Sequence, residues 1–211
     1  MDGNRRWARC RGLPVSAGHR AGAERAVQAV RFLQQSPIRE ITLYAFSSRN
    51  WQRPKHEVRA LFQLASDVLS ELGARCMGSD MRLRVIGRRE RLPARLRRHI
   101  DRQEQATSHH ARRLNIALDY SAQHALVLAA RSSPPDVTRS DFAKQLVEIS
   151  GTRPVDLLIR TGREHRLSDF LLWELANAEL CFVDTLWPDF EPSELAEAIQ
   201  QYHRRERRLG R

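Results

Sequence analysis

Lysine is nearly missing from this chain. All but two of its 36 basic residues are arginine, the exceptions being Lys55 and Lys144. Cysteine is scarce as well: Cys10, Cys76 and Cys181 are odd in number, far apart and form no C-x-x-C pair. That excludes a disulfide framework and a cysteine zinc site. Apolar runs are only a few residues long, against the roughly 20 needed to span a bilayer. The first residues lack the apolar core of a signal peptide, so a cytoplasmic address is expected, with peripheral membrane contact open. There is no G-x-S-x-G elbow, G-x-x-x-x-G-K-[ST] loop or G-x-G-x-x-G fingerprint. No zinc finger, helix-turn-helix or RNA-binding aromatic motif occurs either.

Positive charge is abundant. The formal net charge is +11 over 211 residues, which points to nucleic acid, anionic lipid or a phosphorylated substrate. The arginines are scattered rather than gathered in one stripe, so specific nucleic-acid binding is not expected. Hydrophobic residues make up 41%, which suits a single domain with a real core.

Short β-branched and apolar runs alternate with helical patterns. Strands are predicted at Ile41–Phe46, Met81–Ile86, Leu114–Leu118, Val155–Ile159 and Leu180–Val183. Helices are predicted from Gly18 to Gln35, after Pro54 to about Gly73, after Pro93, and at Ala122–Arg131 and Ser140–Ile149. Two more are predicted from about Leu167 to Ala178 and from Pro192 to about Arg208. This order implies an α/β domain with a mostly parallel, helix-covered sheet. Ligands of such sheets bind beyond the carboxyl ends of the strands.

Three polar stretches fall where such a site belongs. Met1-Asp2-Gly3-Asn4-Arg5-Arg6-Trp7 supplies a hard oxygen ligand for Mg²⁺ in Asp2, backbone N–H groups at Gly3 and a guanidinium fork at Arg6. The same stretch also reads as a disordered basic terminus. After Phe46 come Ser47, Asn50, Trp51 and Arg53; after Ile159 come Arg160, Arg166 and Ser168. Two arginines and a hydroxyl, with Ser168 capping the next helix, form a cradle for phosphate or diphosphate. Glu179 stands at the entrance of a strand, as a metal ligand or a helix-end acid. His19, beside Gly18, suits a phosphate contact or proton transfer.

In order and spacing these motifs resemble the cis-prenyltransferases. The resemblance rests on Asp2-Gly3-Asn4 through Trp7, Gly18-His19-Arg20-Ala21-Gly22, and Thr42-Leu43-Tyr44-Ala45-Phe46-Ser47-Ser48 with Asn50-Trp51 and Arg53-Pro54. It continues through Asp156-Leu157-Leu158-Ile159-Arg160-Thr161-Gly162, Arg166-Leu167-Ser168, Phe170-Leu171-Leu172-Trp173, Ala178-Glu179-Leu180 and Leu186-Trp187-Pro188-Asp189-Phe190. It implies a single α/β domain with an apolar product tunnel, bounded by the helix around Arg59–Leu72. It implies condensation of isopentenyl diphosphate with an allylic diphosphate, with Mg²⁺ held by Asp2 and Glu179. Asp2, Asn50, Ser47 and His19 are implied in catalysis. Gly3, Asn4, Arg6, Trp7, Phe46, Trp51 and Arg53 are implied in binding the allylic substrate, and Arg160, Arg166 and Ser168 the isopentenyl headgroup. It also implies a homodimer, in which the R-x-G ending Arg208-Leu209-Gly210 reaches the partner's site, and hand-off of an apolar product at a membrane surface. A non-catalytic homologue supporting another prenyltransferase is the alternative.

Several positions depart from the family pattern. Arg5 stands where glycine is usual, Val15 where a headgroup arginine is common, and Arg163 where T-G-G-E has its second glycine. Asp169 replaces an asparagine, and N-Y-G-G-R reads Asp119-Tyr120-Ser121-Ala122-Gln123. Arg112 and Arg113 fall where the strand is normally apolar, so that strand is expected to start late or the tunnel to be shorter. The family also has an apolar strand leading into the aspartate. Its lack before Asp2 is expected to reflect an upstream start codon or to weaken the enzyme.

Overall fold

The computed structural model describes residues 1–205. The motif Arg208-Leu209-Gly210 and the last residues of the helix predicted to Arg208 lie outside them. All five predicted strands form: β1 (Glu40–Ser47), β2 (Met81–Ile86), β3 (Arg112–Tyr120), β4 (Leu157–Thr161) and β5 (Glu179–Val183). The helices are α1 (Asn4–Arg9), α2 (Val15–Gln34), α3 (Lys55–Met77), α4 (Ala94–Ala106), α5 (Ala122–Ser132), α6 (Arg139–Ser150) and α7 (Pro192–Arg204). Every strand pair is parallel, but the strands divide into two sheets, β1-β3-β2 and β4-β5.

Side-chain alternation sorts the larger sheet into two faces. Ile41, Leu43 and Phe46 of β1, Met81, Leu83 and Val85 of β2, and Leu114, Ile116 and Leu118 of β3 enter the main core. There they meet Val27, Val30 and Leu33 of α2, Val58, Phe62, Leu69 and Leu72 of α3, and Leu96 and Ile100 of α4. On the opposite face Ile86, Ala117 and Tyr120 pack on Phe170, Leu171 and Leu175. That face also buries Asn115 completely. Its amide donates to Glu40 Oε1 at 2.7 Å and Thr42 Oγ1 at 3.1 Å, so the buried polar group is partly satisfied.

Arg112 and Arg113 do not delay β3, which begins at Arg112. The Arg112 guanidinium donates to the carbonyls of Leu33, Gln34, Ser36 and Ile38 at 2.9–3.0 Å, and to Asp80 at 3.1 Å. It serves the open carbonyls at the carboxyl end of α2, which need donors. Arg113 faces Glu40 at 3.8 Å.

Two other expectations fail. The segment 167–178 is a series of turns rather than a helix, and Ser168, Asp169 and Leu171 have positive φ values of 51°, 63° and 46°. Ser168 therefore caps nothing. Its helical apolar spacing serves burial of Phe170, Leu171 and Leu175 instead. The stretch Asn4–Arg9, with no apolar period to announce it, forms α1 rather than a disordered terminus. It lies against α2 because Gly18 and Gly22 leave room. A Cβ on Gly18 would sit 2.1 Å from the Asn4 carbonyl oxygen, and one on Gly22 2.3 Å from Asn4 Oδ1.

Candidate active site

The three polar stretches converge at the carboxyl ends of β1 and β4. Asp2 is the hub. Its backbone N–H donates to Thr161 Oγ1 at 3.1 Å, and its carbonyl accepts from Trp187 N at 2.9 Å. Its Oδ1 accepts the Gly3 N–H at 2.6 Å and its Oδ2 accepts Arg160 Nη2 at 3.0 Å. Gly3 takes φ 103° here, a conformation an L side chain resists. Arg6, one turn into α1, donates to the Gly162 carbonyl at 2.6 Å and lies 3.6 Å from Asp2 Oδ1 and 3.7 Å from Glu164. Burial works against ionisation of Asp2. The Arg160 and Gly3 hydrogen bonds and the charges of Arg160 and Arg6 outweigh it, and the carboxyl titrates below its ordinary range.

Arg160 joins this hub to the headgroup cradle. Its Nη1 donates to Ser168 Oγ at 3.0 Å and to the Arg166 carbonyl. Arg166 itself is ion-paired with Glu164 and mostly exposed. Deeper in the site, Arg53 pairs with Glu57 at 3.1 Å, and His19 Nε2 lies 3.9 Å from the same carboxylate. Burial first, then the charges of Arg53 and Arg5, lowers the His19 pKa, and Glu57 opposes this. The imidazole is therefore neutral at pH 7. Arg5, the departure from glycine, adds a cation beside His19 and Arg53, with its Nε buried and without a hydrogen-bond partner among the described residues.

An aromatic wall closes the other side. Phe46, Trp51 and Phe62 pack with ring centroids 5.0–5.7 Å apart. Trp51 belongs to a 3-10 turn, Ser48–Gln52, whose entry is set by the Asn50 side chain accepting the Ser47 N–H at 3.0 Å. Behind Trp51 is a charged clasp. Asp119, fully buried at the end of β3, takes Arg88 on Oδ1 at 3.3 Å and Arg91 on Oδ2 at 3.2 Å. Arg91 in turn lies over the Trp51 ring, 5.0 Å from its centroid. The Asp119 carbonyl accepts the Ser48 hydroxyl at 3.4 Å, tying the same turn to β3.

Thus Asp2, Gly3, Arg6, Arg160, Arg166 and Ser168 are brought together, with His19, Arg53, Ser47, Asn50, Phe46 and Trp51 around them. Asn4 faces α2, its Oδ1 buried without a partner among the described residues. Trp7 is held away by Asp189 at 2.6 Å and by Arg11 over its ring at 4.5 Å. Glu179 is not brought to Asp2. It opens β5, whereas Asp2 meets Thr161, paired with Val183 at the far end of the strand. Four residues of extended chain put them about 13 Å apart along β5, and Glu179 is ion-paired with Arg205. No group of three potential ligands gathers for a metal among the described residues.

Sequence reasoning missed Thr161, Glu57, Glu164 and Asp119. Of these Glu57, four residues after Arg53 on one helix face, and Glu164, two residues before its partner Arg166, have local partners. The others act across chain separations that no spacing rule spans.

Guanidiniums around one half-exposed carboxylate at the carboxyl ends of parallel strands define a protein with a site suited to a phosphate-bearing anion. Comparison with known proteins makes the class specific. Residues 1–210 match the family model described as "Putative undecaprenyl diphosphate synthase". Isoprenyl transferase 1 of Bradyrhizobium diazoefficiens is 46% identical over 213 residues, covering all of this chain and 87% of that protein. The ditrans,polycis-undecaprenyl-diphosphate synthase ((2E,6E)-farnesyl-diphosphate specific) of Wigglesworthia glossinidia brevipalpis is 38% identical over 222 residues, covering all of this chain and 85% of that one. The crystal structure of lavandulyl diphosphate synthase from Lavandula x intermedia, in complex with dimethylallyl diphosphate, superposes with a TM-score of 0.94 at 31% identity. That match covers 100% of this chain and 95% of the other. The chain belongs to the undecaprenyl diphosphate synthase family of cis-prenyltransferases and is a prenyltransferase.

Proposed function

We propose that the chain condenses isopentenyl diphosphate with an allylic diphosphate, farnesyl or shorter, to give a Z-configured prenyl diphosphate. The observation that carries this reading is the Asp2–Arg160 pair, which links an anion site at Gly3, Arg6 and Arg53 to a second one at Arg160, Arg166 and Ser168. Two diphosphates need two adjoining cradles.

In the reaction the allylic C–O bond breaks and its electron pair leaves with diphosphate. The isopentenyl double bond attacks the allylic carbon, and the isopentenyl unit gives up a proton to the released diphosphate, leaving the new double bond. Arg6 and Arg53 hold the leaving diphosphate as its charge develops. Arg160 and Ser168 fix the isopentenyl headgroup so that its double bond meets the allylic carbon. His19 is uncharged at neutral pH and gives a hydrogen bond to a phosphate oxygen or relays a proton. Ser47 and Asn50 keep the turn that presents Trp51, and Phe46 and Trp51 shelter the growing chain from water.

Asp2 suits Mg²⁺ that arrives with the diphosphate, because that ion keeps several oxygen ligands from phosphate and water and needs only one or two carboxylates. The ion would neutralise charge on the leaving diphosphate. Glu179 lies a strand's length away in the same chain, so its proposed role is in the site of a second protomer, and the proposal therefore includes a homodimer. No helix among the described residues is long and apolar enough to cross a membrane, in keeping with a cytoplasmic enzyme that meets the membrane peripherally.

The test is incubation of purified protein with radiolabelled isopentenyl diphosphate, an allylic primer and Mg²⁺. A butanol-extractable product that disappears with EDTA and in Asp2→Ala is expected. No product with dimethylallyl, geranyl or farnesyl diphosphate refutes the reading, and full activity in Asp2→Ala refutes the role given to Asp2.

A further inference from the structure

Many arginines of this protein are neutralised by a neighbouring carboxylate, among them Arg11 by Asp189, Arg25 by Glu191, Arg53 by Glu57 and Arg160 by Asp2. Helix α4 instead gathers, within eight residues, four arginines unpaired among the described residues. Arg95, Arg97, Arg98 and Arg102 are all exposed, and none has an ion pair among the described residues. The exposed acid of the helix, Asp101, is 3.4 Å from Arg89. Leu96 and Ile100 are buried and fix the roll of α4. Arg95, Arg98 and Arg102, at spacings of three and four, therefore form one outward stripe. With Asp101 they line an open concavity of about 540 Å³. The helix starts close to the site, because Arg91, in the turn just before α4, covers the Trp51 ring.

We propose that this face of α4 docks on an anionic phospholipid surface, with guanidinium forks on headgroup phosphates. The inference rests on the reading above, in which the product is an apolar chain that must leave water. Several features favour a lipid surface. The stripe has no aromatic residue on which a base could stack. It has no large apolar residue to insert, so the contact is electrostatic and reversible. Docking by this face would bring the aromatic wall close to the bilayer, where product and primer can be exchanged.

The experiment is sedimentation of the full chain with vesicles of phosphatidylcholine alone or with about 30% phosphatidylglycerol. The probe variant is Arg95→Gln/Arg98→Gln/Arg102→Gln. The control removes the same charge elsewhere, at the exposed Arg131, Arg139 and Arg153. Binding only to the anionic vesicles is expected. Each stripe charge contributes about fivefold, so the α4 variant should lose about 100-fold in partitioning while the control loses less than about fivefold. Both variants should keep wild-type turnover without vesicles, a readout that tests the proposed reaction separately. Equal losses in the two variants, or no binding by the wild type, overturn the proposal. So does retention on duplex nucleic acid at about 0.15 M salt with no binding to anionic vesicles.

Discussion

Replacing Arg112 by Met should destabilise the protein by about 3 kcal/mol. The guanidinium makes five hydrogen bonds, four of them to carbonyls at the end of α2 and beyond it, and its side chain is only 16% exposed. A hydrogen bond to a charged group contributes about 1.5–3 kcal/mol net. Simple addition overshoots, because the carbonyls share one side chain and water can reach some of them once it is gone. The favourable cation at a helix carboxyl terminus adds about 0.3–1 kcal/mol. Methionine keeps most of the stem packing, so the loss reports the polar head. Urea denaturation should show the midpoint falling at unchanged slope, and the melting temperature should drop by about 6–12 °C for a chain of this length. Arg112→Lys should recover less than half, since an ammonium cannot span the same carbonyls as a planar fork. A loss below about 1 kcal/mol in Arg112→Met, or full recovery by lysine, would refute the view that this arginine is a helix terminator rather than a surface charge.

Other outcomes follow from the site. Arg160→Lys should lower kcat/KM for isopentenyl diphosphate by about 100-fold with little change in melting, because one ammonium cannot reach Asp2, Ser168 and the Arg166 carbonyl together. Retention of more than a tenth of activity in steady-state assays would contradict that geometry. Asp119→Asn leaves Arg88 and Arg91 without their counter-charge. Both arginines are partly exposed, so the cost should be about 1–2 kcal/mol rather than the 3–5 of a fully buried pair. The same variant should change Trp51 fluorescence through Arg91, and an unaltered spectrum would argue against the clasp. His19 has its folded-state pKa lowered from 6.5, so its contribution to stability is full above that value and is lost as pH falls through 6.5 towards the folded pKa. Denaturation midpoints should decline in that window for the wild type and decline less in His19→Gln, where the buried α-amino group of Met1, lowered to about 6, still titrates. The lowered Asp2 pKa acts only below 3.8 and should not interfere.

The sequence by itself determined the five strands, because β-branched and apolar runs of four to six residues have few alternatives when bounded by glycine and polar loops. It also determined the main helices and, through the polar loops after Phe46 and Ile159, the end of the sheet at which chemistry belongs. It misjudged 167–178, where apolar spacing that fits a helix serves burial of a turn-rich segment. It gave no sign of α1, whose partners are the glycines of α2 rather than an apolar period of its own. Arg112 looked like a charge misplaced in an apolar strand, and only the tertiary structure supplies the carbonyls of α2 that receive it. Asp119 between two arginines, Thr161 on the backbone of Asp2, and the separation of Glu179 from Asp2 are likewise decided in space. Period and propensity are properties of neighbours in the chain, whereas a hydrogen bond spanning 158 residues, such as that from Arg160 to Asp2, exists only once the core has brought its two ends together.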